Sequence, residues 1–233
     1  MKKGTFYGVS VGPGDPELLT GKAVRILRAC PVIAAPATGA GRMLALQIAA
    51  GTVELEGKTV LPLSFSMTRD RAVRLAEYRA AAEAVSAHLD AGRDVAMVNL
   101  GDVSVYATAP RVGKLLAERG YETELVPGVP SFCAAACRLG VSLTEGDAGV
   151  HILSGHGNPE EGLDLSGTKV VLKSGRQLPG VLEALAERNL SGRSMLVKNC
   201  GLPGEALYPD LSEERPGEDT DYLSLVIVKE APK

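Results

Sequence analysis

The chain has 233 residues, room for one large domain or two small ones, with 45% hydrophobic and 23% charged residues. A formal charge of −3 argues against a general nucleic-acid binder, which needs a basic surface, without excluding a local basic pocket. No apolar run reaches the roughly 18 residues of a membrane span, and the apolar run after Lys2 and Lys3 is soon broken by Gly and Asp, unlike a signal peptide.

With no Trp and only 4% aromatic residues, the core is expected to be aliphatic. Residues 6–11 read as a buried strand, followed by the turn Gly12-Pro13-Gly14-Asp15-Pro16. Residues 17–28 read as a helix with Leu18, Leu19, Ala23, Ile26 and Leu27 on one face. A strand at 31–35 closed by Pro36, a short helix at 42–50 and a strand at 60–63 follow. Residues 70–91 form the longest helical pattern, ended by Gly92. Then come a strand (95–100), a helix (109–119), a strand (121–126) and a helix (131–139). This alternation predicts an α/β fold with a mainly parallel sheet in a first domain, 1–144. In 145–233, strands at 150–153, 169–172, 194–198, 205–208 and 222–228 outnumber one helix at 178–188. A second, mixed α+β domain is expected there, with polar loops at 155–167 and 209–220. The default ligand site of two such lobes is the cleft between them.

The opening turn poses the first functional question. A dinucleotide fingerprint needs a third glycine where this chain has Glu17, and no P-loop pattern fits. Asp15 would repel phosphate. The alternative is a tight turn in which Asp15 caps and Pro16 starts the next helix.

Candidate chemistry elsewhere is sparse. Cys30, Cys133, Cys137 and Cys200 show no CxxC spacing, so no metal or disulfide framework is expected, and a reducing cytoplasm is the default. His151 and His156 lack cysteine or carboxylate partners at ligand spacing. Cys133 and Cys137 share a helix face and read as small hydrophobes. Tyr106 reads equally as a ligand-stacking ring or as packing against the next helix.

Four segments in order carry a resemblance: FYGVSVGPGDPELLT (6–20), VNLGDVSVYAT (98–108), LVPGVPSFCAAA (125–136) and DYLSLVIVKE (221–230). Together they resemble the tetrapyrrole (corrin/porphyrin) methylases over nearly the whole chain. The likeness is strongest to the branch that methylates carbon 20 of precorrin-2, or of its cobalt complex, in cobalamin synthesis. The resemblance implies two α/β domains with S-adenosyl-L-methionine (SAM) between them, a small-molecule tetrapyrrole substrate with or without cobalt, and a cytoplasmic homodimer. Carried over by position, the cofactor contacts would be Pro13, Leu100, Gly101, Asp102, Val105, Pro130, Ser131, Lys173 and Gly201. No catalytic side chain is named. The substrate's carboxylates call for cations, for which Arg42 and Arg176 are candidates, with Arg69 and Lys198 beside them. Two departures stand out. Val103 follows Asp102 where the family often has Pro, and Pro130 stands where it often has Ser or Thr. A methylase of another ring position and a nucleotide-binding module are the alternatives.

Overall fold

The computed structural model describes residues 2–37, 41–66, 68–155, 157, 160–217 and 223–230, without the Arg176 side chain. The chain divides into two compact units, 1–130 and 131–233.

In the first unit, β1 (Phe6–Ser10), β2 (Val32–Ala37), β3 (Thr59–Ser64), β4 (Val95–Asn99) and β5 (Thr123–Val126) form one sheet in the order β3-β2-β4-β1-β5. Every pairing in it is parallel. The helices are α1 (Gly21–Ala29), α2 (Leu44–Ala50), α3 (Arg71–Asp90) and α4 (Ala109–Glu118). β4 is buried along its whole length, as expected of a parallel strand covered on both faces. Phe6, Val32, Val95, Met97, Val112 and Leu116 lie in one mainly aliphatic buried cluster, with Phe65 and Tyr121 packed partly buried against it.

Two local expectations are corrected. The helix expected over 17–28 begins only at Gly21. Ahead of it, Pro16–Leu18 makes a 3-10 turn capped by Asp15, and Leu19 is extended. Thr20 then caps α1, its hydroxyl accepting from the Ala23 N–H at 3.2 Å. Two separate caps divide what hydrophobic spacing alone reads as one helix. β2 also runs through Pro36, because pairing with β4 has ended by Ala34 and no ladder bond on that side needs the missing N–H.

In the second unit, β6 (Val150–Ser154), β7 (Thr168–Leu172), β8 (Ser194–Lys198), β9 (Ala206–Tyr208) and β10 (Ser224–Val228) form a mixed sheet in the order β6-β7-β10-β8-β9. Only β6 and β7 are parallel. Its helices are α5 (Ser131–Leu139), the single turn α6 (Glu160–Leu163) within the expected polar loop, and α7 (Leu178–Glu187). Leu178, Val181 and Leu185 of α7 cluster with Val171, Leu196 and Val226 of the sheet. The part of the last strand expected at Tyr222 lies outside the described residues, as does His156.

The division falls at 130/131, ahead of the expected 144/145. Helix α5 packs on β10. Arg138 pairs with Glu205, and the Lys229 ammonium donates to the Ser142 carbonyl at 2.6 Å and the Glu145 carboxylate at 2.9 Å. Residues 131–145 therefore belong with the second sheet, although α5 continues the βα rhythm of the first.

Candidate functional site

In parallel α/β sheets, ligands gather outside the carboxyl ends of the strands. At that edge of the first sheet, the loops leaving β4, β1 and β5 lie side by side, because those strands are neighbours. Gly101 donates its N–H to the Gly12 carbonyl at 2.8 Å, joining the first two loops in an isolated bridge. Both residues are left-handed, with φ of 73° and 71°, a conformation glycine adopts without steric cost.

Asp102 joins the β4 loop to the β5 loop. Its Oδ2 accepts from the Gly128 N–H at 2.7 Å. Its Oδ1 accepts from the Ser104 N–H at 2.8 Å and from the Ser104 hydroxyl. Burial raises its pKa, but the donors on Gly128 and Ser104 outweigh that and hold the carboxyl below its ordinary value. Asp102 is thus a buried, ionised tie with both oxygens engaged, and this arrangement makes it a loop-positioning group rather than a proton donor.

Ser10 closes the triangle. It is fully buried, donates its hydroxyl to the Val126 carbonyl at 2.8 Å and accepts the Val103 N–H at 2.8 Å. Gly128 packs against it so closely that a Cβ at 128 would overlap the Ser10 Cβ. The departure at Val103 now has a consequence. A proline there would have no N–H to give Ser10, so Val103 and Ser10 form a matched pair. Thr20, besides capping α1, donates to the Pro127 carbonyl at 3.4 Å.

The first-unit candidates Pro13, Leu100, Gly101, Asp102 and Val105 all sit on the β1 and β4 loops of this array, and Pro130 closes the β5 loop. Tyr106, on the β4 loop, has a left-handed backbone (φ 48°) and is 47% exposed as a residue. That conformation is costly for an aromatic residue, and so exposed a residue is not core packing. The opening turn is capped from within, since Asp15 accepts the Glu17 N–H at 2.9 Å. Arg42 lies on an exposed segment ahead of α2.

In the second unit, Ser131 opens α5. Lys173 and Gly201 follow β7 and β8, and the strand directions bring them to one end of the sheet. Lys173 is left-handed (φ 57°), and burial pushes its ammonium below the ordinary lysine value. Next to it, the buried Ser174 hydroxyl donates to the Ser224 carbonyl at 3.1 Å. Lys198 is buried at the same end, and Arg176 has its backbone in a 3-10 turn, Gly175–Gln177. The Gln177 Oε1 of that turn is buried without a hydrogen-bond partner. Among the described residues, no group of three or more His, Cys, Asp or Glu side chains gathers in metal-binding fashion, and no helix is long and apolar enough to cross a membrane.

The profile of the tetrapyrrole (corrin/porphyrin) methylases matches residues 5–214. The chain belongs to this family. It is 34% identical to a probable cobalt-precorrin-2 C(20)-methyltransferase of Methanocaldococcus jannaschii, over 96% of this chain and 95% of the relative. It is 32% identical to a precorrin-2 C(20)-methyltransferase of Sinorhizobium sp, over 97% and 95%. Among solved structures, a uroporphyrin-III C-methyltransferase from Thermus thermophilus superimposes with a TM-score of 0.71 at 28% identity, covering 98% of this chain and 95% of that one.

The main residue that sequence reasoning misses in this methylase is Ser10. A signal for it exists: a hydroxyl inside an apolar strand next to a glycine turn must find partners when buried. Which partners it finds is not readable, because they lie 93 and 116 residues away.

Proposed function

We propose that this methylase transfers a methyl group from SAM to carbon 20 of precorrin-2, or of its cobalt complex, in cobalamin synthesis. End-to-end likeness to the two C(20)-methyltransferases carries the reading. The donor supplies a sulfonium-activated methyl. Its C–S bond breaks as the C–C bond to the electron-rich meso carbon forms in line, and the proton on that carbon leaves afterwards. The protein's share of such a reaction is to hold two reactants in register and keep water away.

The β1, β4 and β5 loops fit that task. Left-handed glycines at 12 and 101, bonded to each other, fix the course of two of them. Their one buried carboxylate, Asp102, is consumed in holding them together. Pro13, Leu100, Gly101, Val105, Pro130 and Ser131 are the proposed donor contacts, with Asp102 fixing the loop and with Lys173 and Gly201 as positions of the second unit. Arg42 and Arg176 are the proposed anchors for the substrate's carboxylates. The family resemblance supports a cytoplasmic homodimer.

The test is to titrate the protein with SAM and S-adenosylhomocysteine, then to incubate SAM with precorrin-2 and with cobalt-precorrin-2. A gain of one methyl, located at carbon 20 by NMR, is expected. Absence of SAM binding sinks the reading. A methyl at another position moves the protein to another branch of the family.

A further inference from the structure

The turn that follows β8 is held from outside. Asn199, Gly201 and Gly204 are all left-handed, with φ of 49°, 71° and 80°. Backbone bonds define its course: Asn199 N–H to the Leu223 carbonyl (3.0 Å), Leu202 N–H to the Asn199 carbonyl (2.8 Å) and Glu205 N–H to the Leu202 carbonyl (3.1 Å). The Glu205 carboxylate then reaches back into the turn. Its Oε1 accepts the Gly201 N–H at 2.9 Å, and the Cys200 thiol also donates to the carboxylate. From α5, the Arg138 guanidinium grips both oxygens, with Nε at 3.2 and 3.0 Å and Nη2 at 2.5 Å. The Glu205 side chain is only 17% exposed. Arg138 foremost, then the Gly201 N–H, keep its carboxyl below the ordinary glutamate value despite burial.

A surface ion pair alone contributes little. This one differs because the carboxylate also holds a main-chain N–H inside a turn of left-handed residues. Forked, charge-assisted bonds fix direction as well as distance. Gly201 has no side chain, so only its backbone can address a ligand. Its N–H is engaged by Glu205, which leaves the carbonyl, an acceptor, as the polar atom it can present.

We propose that Arg138 and Glu205 are positioning residues that orient the Gly201 turn, so that the Gly201 carbonyl meets a hydrogen-bond donor of the methyl donor, such as an ammonium, a ribose hydroxyl or an exocyclic amine. This rests on reading Gly201 as a donor-contacting position. Neither Arg138 nor Glu205 touches the reacting atoms.

The experiment compares the full chain with Glu205→Ala, Glu205→Gln and Arg138→Ala. It reads SAM affinity by calorimetry, Gly201 amide exchange by NMR without ligand, and melting temperature. Glu205→Ala should weaken SAM binding about tenfold and speed Gly201 exchange at least as much, with α7 amides unchanged. Glu205→Gln keeps an acceptor for the Gly201 N–H and should stay within about threefold of the parent. Arg138→Ala should fall between them, and it carries the test if Glu205→Ala does not fold. Parental affinity in both alanine variants overturns the proposal, as does faster exchange throughout the second unit. If the parent itself binds no SAM, the donor reading fails. If exchange responds while SAM affinity does not, the turn is held as described but does not serve the donor.

Discussion

Replacing Ser10 with alanine removes one hydroxyl and should loosen three loops. The hydroxyl is fully buried and bonded on both sides, to the Val126 carbonyl and the Val103 N–H. Alanine fits the same space, so no clash confuses the result. It leaves the Val103 N–H without a partner and the Val126 carbonyl short of one. An unsatisfied buried group costs about 1–3 kcal/mol, with the N–H at the upper end, which sums to roughly 2–4 kcal/mol. For a chain of this size that is a fall of roughly 5–15 °C in melting temperature. Ser174→Ala is the matched control. It is as buried, but its hydroxyl makes one bond, to the Ser224 carbonyl, and it should lose about 1 kcal/mol. Urea denaturation of both variants measures stability, and SAM titration measures whether the loops still fit a ligand. Ser10→Ala should weaken SAM binding beyond what Ser174→Ala does. A loss below about 0.5 kcal/mol, within the range of ordinary surface substitutions, would refute the three-loop tie.

The remaining tests probe the same array and the chain's thiols. Asp102 has a folded pKa below the ordinary aspartate value, so its stabilising contribution is complete above that ordinary value and fades as pH falls through the folded one. Denaturation between about pH 2.5 and 6 should show this slope in the parent and a flatter one in Asp102→Asn. Asp102→Ala should also weaken SAM binding, whereas Asp147→Ala, at an exposed loop position, should not. Tyr106→Gly relieves a left-handed aromatic, so thermal stability should hold or rise while kcat/KM for the tetrapyrrole falls; a fall in both assigns the ring to packing. Burial pushes the thiols of Cys30 to about 12 and Cys200 to about 11. At pH 8 a disulfide reagent should therefore modify the exposed Cys137 and leave those two untouched until the chain unfolds, as peptide mapping would report.

Much of the fold was legible because its signals are local. The alternation of short apolar runs with helical patterns over 6–126 required a parallel sheet, and β1, β2, β4 and α4 lie within a few residues of where spacing puts them. Two errors share a cause. The false single helix over 17–28 and the misplaced boundary at 144/145 both extended a periodic pattern past the point where side-chain bonds redirect the chain. In the first case the Thr20 cap does so. In the second it is the Arg138–Glu205 and Lys229–Glu145 pairs, which span 67 and 84 residues.

The sequence by itself determined the family, the alternating architecture of the first unit and the three loops that bear its candidate site, because each is written in contiguous residues. Only the tertiary structure decided what those loops do to one another. It turned Asp102 inward as a tie, made Ser10 the bridge between the β4 and β5 loops, matched Val103 to that bridge, and assigned α5 to the second sheet. The physical reason is the same in each case. A buried polar group must be satisfied, and the chain distance to its partner is set by which strands end side by side, not by any spacing along the sequence.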